Sequence, residues 1–172
     1  MSRYQVRSAI PRDAMAIADI YAAAVQASYK DLVPDELLST LFATKRQGYW
    51  REAIEMGEPQ IQVATEGDQV VGFVGYDRSR DPKTPSTMGE IWQIYVTPDL
   101  WSTGAGLALW DAARDGLEDE GCTHVSLWLP LRNERALTFH EVAGFKRELT
   151  TAKTVDVGGV KIETIRLTRA IG

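Results

Sequence analysis

The sequence predicts an α/β fold built on a mixed central sheet of about seven strands. Residues 90–130 pass through a strand, a loop, an amphipathic helix and a second strand, a unit that implies two parallel strands and a right-handed crossover. Other segments alternate apolar and polar residues and meet at short turns, as antiparallel hairpins do. The chain has 172 residues, about one domain's worth, so we expect residues 1–172 to form a single domain.

The first third of the chain predicts one strand and three helices. Residues 4–10 alternate with a period of two, which is typical of a strand. Apolar residues recur at helical spacing from residue 12 to residue 27, and Asp13 near the start is a possible cap. Pro34 is favourably placed at the first position of a second short helix, and residues 44–55 predict a third.

The middle of the chain predicts three strands. Residues 61–66 and 70–76 are two β runs separated by a short turn containing glycine, which indicates a hairpin. Residues 77–87 are charged and hold two prolines, so we expect a surface loop rather than a linker. Residues 88–96 form the next predicted strand.

The last third of the chain predicts two helices, a strand and a terminal hairpin. Residues 104–120 place apolar side chains on one face of a helix and charged side chains on the other, so this helix packs on a sheet. Residues 123–129 predict a strand and residues 133–142 a short helix. Residues 148–156 and 161–169 predict a terminal hairpin.

Composition narrows the class of protein. The contents of 44% hydrophobic and 25% charged residues are ordinary for a soluble globular chain. A formal net charge of -5 argues against nucleic acid or a membrane surface as the main partner and suits an amine substrate slightly better. One cysteine and two histidines make neither a disulfide framework nor a metal site. We expect no signal peptide and no membrane span, and therefore a cytoplasmic protein.

A glycine-containing loop joins the strand at 88–96 to the helix at 104–120. The backbone amides at the start of a helix have no partners within the helix, which favours anion binding there. Gly104 and Gly106 lack the Cβ atoms that would keep a phosphate from the main chain. The loop lacks the third glycine of a dinucleotide-binding fingerprint and the Gly-Lys-Ser/Thr of a P-loop, so a nucleotide enzyme is a poor alternative.

Two motif blocks stand in order along the chain. They are Val96-x-Pro98-x-x-x-x-x-Gly104-x-Gly106-x-x-Leu109 and Asn133-x-x-Ala136-x-x-Phe139-His140-x-x-x-Gly144-Phe145. Together they resemble the acetyl-coenzyme A (acetyl-CoA) binding core of the GCN5-related N-acetyltransferase (GNAT) family. A bacterial branch of small-molecule acetyltransferases is resembled in particular by three further stretches: Tyr29-x-x-x-x-Pro34-Asp35-x-x-Leu38, Glu90-Ile91-Trp92-x-Ile94-Tyr95-Val96 and Trp101-x-x-Gly104-x-Gly106. The resemblance covers nearly the whole chain. It implies the acyl-CoA N-acyltransferase fold, in which helices flank both faces of the sheet.

The resemblance implies acetyl-CoA as co-substrate and assigns its contacts. The backbone of Ile94 and Val96, with Tyr95 between them, would hold the pantetheine arm. The amides that follow Trp101 would surround the pyrophosphate, and Asn133 would contact the cofactor on the far side. The residues of this amide run are Ser102, Thr103, Gly104, Ala105, Gly106 and Leu107.

The chain departs from the family pattern at two places in this loop. The family usually has Gln or Arg at the position of Trp101, and often Gly at the position of Ser102. The polar or cationic side-chain contact to phosphate that Gln or Arg would supply is therefore lost at Trp101. The backbone cradle does not depend on either side chain.

Acetyl transfer to an amine needs a neutral amine and a protonated or stabilised thiolate on departure. The resemblance suggests that the carboxylate of Glu90 removes the amine proton, and the alternative is a solvated or salt-bridged glutamate at a strand end. His140 stands where the family most often has a tyrosine that donates to the departing sulfur. A neutral imidazole carries one N–H, so His140 could donate, and the alternative is that solvent protonates the thiolate.

Two aromatic residues are candidates for the acceptor pocket. Tyr29 and Trp50 could line it, although aromatic residues at helical spacing are more often core. The resulting prediction is an N-acetyltransferase acting on a small-molecule amine or a peptide N-terminus, with no metal. The alternative is a module of the same fold that binds acyl-CoA without turnover. A homodimer is open, because the closing strands could pair across a dimer.

Overall fold

The computed structural model describes residues 3–43 and 45–171, with the backbone alone for residues 40–43. Seven strands lie in this part of the chain: β1 (Gln5–Ser8), β2 (Gln60–Glu66), β3 (Gln69–Arg78), β4 (Met88–Val96), β5 (His124–Pro130), β6 (Lys146–Val157) and β7 (Val160–Ala170). The same part contains five α-helices: α1 (Ala14–Tyr29), α2 (Asp35–Ala43), α3 (Gln47–Met56), α4 (Ala105–Asp119) and α5 (Glu134–Val142).

The strands form one mixed sheet in the order β1-β2-β3-β4-β5-β7-β6, which confirms the predicted fold class. The strands β4 and β5 run parallel, as the crossover through α4 requires. The pairs β1–β2, β2–β3, β5–β7 and β6–β7 are antiparallel. The last strand lies between β5 and β6, an order that the alternating pattern did not predict.

The chain divides into two compact units. The first unit comprises Met1–Asp77 and Ile91–Leu117, and the second comprises Arg78–Glu90 and Glu118–Gly172. The strand β4 therefore contributes its first three residues to the second unit and its remaining six to the first. The single-domain expectation stays a prediction.

The core of the first unit is aromatic. Trp50 on α3 has 0% of its surface exposed, and its ring lies 5.0 Å from that of Phe73 on β3 and 5.6 Å from that of Tyr21 on α1. Apolar residues of α1 recur every three or four positions and line its buried face, as a surface helix requires. Burying Trp50 and Phe73 contributes about 2 to 3 kcal/mol for each side chain.

Two local predictions at the helix starts need correction. Asp13 precedes α1 but does not cap it, because its carboxylate accepts hydrogen bonds from the Arg7 guanidinium (2.8 and 3.0 Å) and the Ile10 N–H (2.8 Å). The third helix begins at Gln47, since Arg46 before it is extended. The predicted start at Thr44 lies outside the described residues.

Candidate functional site

The connection from β4 to α4 belongs to the first unit. It opens with a single 3-10 turn at Pro98–Leu100, which the sequence did not predict. Ser102 has a φ of 63° and Gly104 a φ of 101°. Positive φ is uncommon outside glycine, so Ser102 marks a backbone shape that the surrounding structure imposes.

Six consecutive backbone N–H groups at the start of α4 are unpaired. Within the described chain, no acceptor contacts the N–H groups of residues 102–107, and the first bond into the helix runs from the Ala108 N–H to the Gly104 carbonyl at 3.0 Å. No atom lies within 4 Å of the position that a Cβ on Gly104 would take. Unpaired donors and the positive end of a helix dipole together favour an anion, and the open space admits one.

Side-chain hydrogen bonds fix the conformation of this loop. The Thr103 hydroxyl donates to the Leu100 carbonyl at 2.5 Å, so its contact with Tyr4 at 2.7 Å is a hydrogen bond that the Tyr4 hydroxyl donates. Trp101 donates its indole N–H to the Val96 carbonyl at 2.9 Å. Trp101 therefore fixes the exit of the strand β4, a role that its replacement of Gln or Arg did not suggest.

Tyr95 anchors the end of β4 in the first unit. Its ring packs edge-on against Tyr21 at 5.6 Å and lies 5.9 Å from Phe73. Burial raises the pKa of the Tyr95 hydroxyl, so this group stays protonated. Tyr95 therefore contributes its side chain to packing, and the expected cofactor contacts at Ile94, Tyr95 and Val96 are left to the backbone.

The two candidate pocket aromatics differ in exposure. Trp50 is fully buried and donates its indole N–H to the Lys45 carbonyl at 3.1 Å, which opposes a place in an open acceptor pocket and favours the core alternative. Tyr29 ends α1 and is half-buried beside the core, where burial raises the pKa of its hydroxyl. Tyr29 therefore remains a candidate.

Glu90 lies on β4 in the second unit and is 2% exposed. Its Oε1 accepts from the Arg80 backbone N–H at 2.8 Å and from Arg80 Nε at 3.4 Å, and its Oε2 accepts from Arg80 Nη2 at 2.7 Å. The Arg80 side chain is 51% exposed. This is the salt-bridged geometry of the alternative interpretation, and nothing in the sequence pattern indicated Arg80 as the partner.

The ion pair does not use every acceptor position of Glu90. A carboxylate offers about four lone-pair positions, and Arg80 occupies three of them. The position left on Oε2 is where a water or an amine N–H would bind. The role of Glu90 as base stays a prediction, with the added requirement that the substrate reaches this oxygen beside Arg80.

His140 on α5 is 4% exposed and packs between two phenylalanine rings. Its Nδ1 lies 2.8 Å from the Ala136 carbonyl. A carbonyl only accepts, so Nδ1 carries the proton and Nε2 of the neutral ring does not. Burial lowers the pKa of His140 to about 4.

This tautomer opposes the predicted acid role of His140. Donating to a departing thiolate would need a second proton on Nε2, and burial disfavours the resulting cation. The structure therefore favours the alternative in which solvent protonates the thiolate. The sequence could not distinguish these cases, because the bond from Nδ1 to the carbonyl four residues earlier depends on the ring orientation.

Asn133 caps the start of α5. Its side-chain oxygen accepts from the Ala136 N–H at 3.2 Å, and its carbonyl accepts from the Leu137 N–H at 3.0 Å. A capping role accounts for an asparagine here without a ligand. The cofactor contact of Asn133 stays a prediction.

Two features are absent among the residues that the structure describes: a group of metal-ligating side chains and a helix of membrane-spanning length. No three of their His, Cys, Asp or Glu side chains are grouped so that they could hold a metal ion. None of the helices formed by these residues is long and apolar enough to cross a membrane.

Comparisons with known sequences point to one family. Residues 20–145 match the model of a family described as Acetyltransferase (GNAT) family. A mycothiol acetyltransferase of Acidimicrobium ferrooxidans is 30% identical over 108 residues, which cover 63% of this chain. The aligned part spans only 33% of that relative's own length.

Solved structures share the fold. The PaiA N-acetyltransferase of Thermoplasma acidophilum, in complex with coenzyme A, superposes with a TM-score of 0.77 at 15% identity and 99% coverage of both chains. YncA of Salmonella typhimurium, a putative acetyltransferase with its cofactor acetyl-CoA, gives 0.71 at 21% identity, with 99% of this chain and 95% of that one covered. At these identities the likeness establishes the fold alone.

Proposed function

Because the chain belongs to the GNAT acetyltransferase family, we propose that it moves the acetyl group of acetyl-CoA directly to a primary amine. The acceptor in this proposal is a small molecule or a peptide N-terminus. The run of six unpaired N–H groups before and within the first turn of α4 is the observation that carries the proposal. Such a run fits the diphosphate of a coenzyme better than any uncharged ligand.

Residues 102–107 form the diphosphate cradle in this proposal. Gly104 has open space where a Cβ would lie, and the Tyr4 hydroxyl donates a hydrogen bond to the Thr103 hydroxyl. Acetyl-CoA supplies a thioester, whose acyl carbon is open to attack by a neutral amine. The backbone of Ile94 and Val96 holds the pantetheine arm, in line with the family resemblance.

Glu90 acts as the base in this proposal, directly or through one water. As the amine nitrogen forms a bond to the acyl carbon, its proton passes to Oε2 of Glu90. The bond from carbon to sulfur then breaks, and solvent protonates the thiolate. The neutral His140 takes no part in this second proton transfer, because Nε2 has no proton to give.

A second candidate is an acyl-CoA binding module without turnover. Two observations favour it: Arg80 already bonds both oxygens of Glu90, and His140 lacks a donor at Nε2. Both candidates need the same cradle at residues 102–107. They differ only in whether Glu90 can take a proton.

Release of free thiol from acetyl-CoA, measured against a panel of primary amines, tests the proposal. The panel contains amino acids, polyamines, amino sugars and short peptides with free N-termini. Turnover that rises with one class of amine and disappears in Glu90→Gln supports the transferase. Thermal stabilisation by acetyl-CoA with no thiol release above background by any amine contradicts turnover and supports the binding module.

The proposal also includes a cytoplasmic location and leaves room for a homodimer. Light scattering coupled to gel filtration measures the second directly. A mass of 19.1 kDa at micromolar concentration would contradict a stable dimer.

A further inference from the structure

The loop between β3 and β4 holds Glu90 through its backbone as well as through a side chain. The Arg80 N–H donates to Oε1 of Glu90 at 2.8 Å, so the position of the loop backbone decides where the carboxylate points. A backbone donor cannot follow a side chain that moves. A contact that holds the backbone of the loop at Arg80 therefore also holds the carboxylate of Glu90 in its orientation.

Asp81, the next residue, connects this loop to strands of the second unit by hydrogen bonds. Its two carboxylate oxygens share the indole N–H of Trp128 on β5, at 3.1 Å each. Its Oδ2 also accepts from Arg166 Nη1 on β7 at 3.2 Å. The Asp81 side chain is 17% exposed, so these bonds are largely shielded from water.

The partners of Asp81 are themselves fixed. Arg166 Nε donates to Glu148 Oε1 on β6 at 2.6 Å, and this hydrogen bond, with the help of Asp81, raises the pKa of Arg166. The Nζ of Lys153 lies 4.1 Å from the centre of the Trp128 ring, a cation–π contact. The side chains of β5, β6 and β7 that bind the Asp81 carboxylate are therefore themselves held by further contacts.

We infer that Asp81 is a positioning residue that orients Glu90 through the adjacent Arg80. The inference rests on the proposed function, in which Glu90 is the base. Asp81 touches neither Glu90 nor any reacting atom in this account. Asp81 restricts the conformations of the loop, so the Arg80 N–H and guanidinium bind the Glu90 carboxylate in one geometry. The same acceptor position on Oε2 then stays available for the substrate.

Variants at position 81 separate positioning from general stability. Asp81→Ala removes the acceptors of both Trp128 and Arg166, whereas Asp81→Asn keeps one oxygen for the indole N–H. We expect about tenfold lower kcat in Asp81→Ala, a smaller loss in Asp81→Asn, and an unchanged KM for acetyl-CoA in both. Trp128→Phe, which removes the indole N–H alone, should resemble Asp81→Asn.

Asp156→Asn is the matched control. Asp156 also pairs with a cation in the second unit, Lys161 at 2.8 Å, but this pair is exposed and joins the ends of β6 and β7 beside their turn. This variant should keep the wild-type kcat. A loss in Asp156→Asn equal to that in Asp81→Ala would overturn the inference, since removing any carboxylate would then have the same effect.

Hydrogen exchange of the Arg80 amide gives a second measurement that needs no turnover. The bond to Glu90 should protect this amide in the wild type, and Asp81→Ala should raise its exchange rate at least tenfold more than those of core amides elsewhere in the second unit. Wild-type exchange in Asp81→Ala would overturn the inference even if the protein is an active transferase. An absence of turnover with every amine would instead contradict the proposed function, and the exchange result would still decide whether Asp81 positions Glu90.

Discussion

Polar groups near the two ends of β4 differ in whether they have hydrogen-bond partners. Beyond its carboxyl end, six backbone N–H groups of residues 102–107 have no partner among the described residues. Near its amino end, both oxygens of Glu90 are bonded to Arg80. The loop end has donors left for an anion from outside, as the proposed function requires, whereas the Glu90 end already has an internal cation.

Exposure explains the difference. Ser102 and Gly104 are exposed, so water satisfies their N–H groups at little cost until a ligand replaces it. Glu90 is 2% exposed, and an unpaired buried carboxylate would cost several kcal/mol. Backbone donors at a surface can therefore stay unpaired, but a buried carboxylate such as Glu90 needs a resident partner, which it would share with the substrate in the proposed function.

The largest expected effect concerns the Glu90 end. Glu90→Gln keeps the shape and an acceptor oxygen but removes the charge that takes the amine proton in the proposed function. General base catalysis contributes about 100-fold to 10,000-fold, so we expect kcat to fall by about 1,000-fold. Steady-state kinetics with the best amine of the panel measures this, and calorimetry should show unchanged affinity for coenzyme A.

A wild-type kcat in Glu90→Gln would contradict the proposed role of Glu90 as the base. Glu90 would then be a structural partner of Arg80 only. A fall in coenzyme A affinity as large as the fall in kcat would contradict the separation of the two ends, because one substitution would have disturbed both.

At the loop end, Gly104→Val should lower coenzyme A affinity about 100-fold. The added side chain would fill the open space above the loop, and the φ of 101° strains any residue with a Cβ by about 1 to 2 kcal/mol. Calorimetric titration with coenzyme A measures the affinity.

Gly159→Val is the matched control for this backbone strain. Gly159 has a φ of 91° and open space around its Cβ position, but it lies in the turn between β6 and β7. Both variants should lose similar stability, and only Gly104→Val should lose affinity. Equal affinity losses would show that strain, rather than the filled cradle, weakens binding.

His140 should affect the pH dependence of stability rather than turnover. The pKa of His140 is about 4 in the folded chain, against an ordinary value of 6.5. Between these values the unfolded chain binds a proton that the folded chain does not, so stability falls as the pH drops from 6.5 to 4. The full loss attributable to His140 is about 3 kcal/mol.

His140→Gln cannot titrate and should lose less stability than the wild type over this pH range, as urea unfolding at several pH values would show. Its turnover rate at pH 7.5 should stay within about threefold of the wild type if solvent is the acid. A loss of turnover by about 100-fold would restore the donor role of His140.

A smaller effect is expected at Gly72, where β3 supports the carboxyl end of β4. A Cβ on Gly72 would lie 2.9 Å from the Tyr95 carbonyl and 3.1 Å from Leu109 and Val96. Gly72→Ala should therefore lower the free energy of unfolding by about 2 kcal/mol. Gly48→Ala in α3, which meets no atom within 4 Å, should be neutral or stabilising, and equal losses would contradict this steric account.

Patterns local in sequence predicted most of the fold and the glycine-containing loop before α4. The strand Met88–Val96 and the helix that follows it can be read from apolar spacing and from Gly104 and Gly106, because both signals lie within a few residues of the structure they specify. The place of β7 between β5 and β6 could not be read in this way. It depends on pairing between segments far apart in the chain.

The chemistry of the buried side chains was less predictable for the same reason. Arg80 lies ten residues before Glu90 in a loop with two prolines, and no periodicity links the two. The burial of Trp50 and the tautomer of His140 depend on ring packing. In each case the residue type was visible in the sequence, but the partner that decides its role was not.

The claim that the loop after β4 binds a diphosphate is tested most directly by calorimetric comparison of coenzyme A with pantetheine. Pantetheine keeps the thiol arm and lacks the diphosphate together with the adenosine beyond it, so 4′-phosphopantetheine, which adds phosphate but no adenosine, is measured beside it and should also bind more tightly than pantetheine. Charge-assisted hydrogen bonds from residues 102–107 should make coenzyme A bind at least about 100-fold more tightly. Equal affinity for the two ligands, or no heat with coenzyme A, would contradict the account.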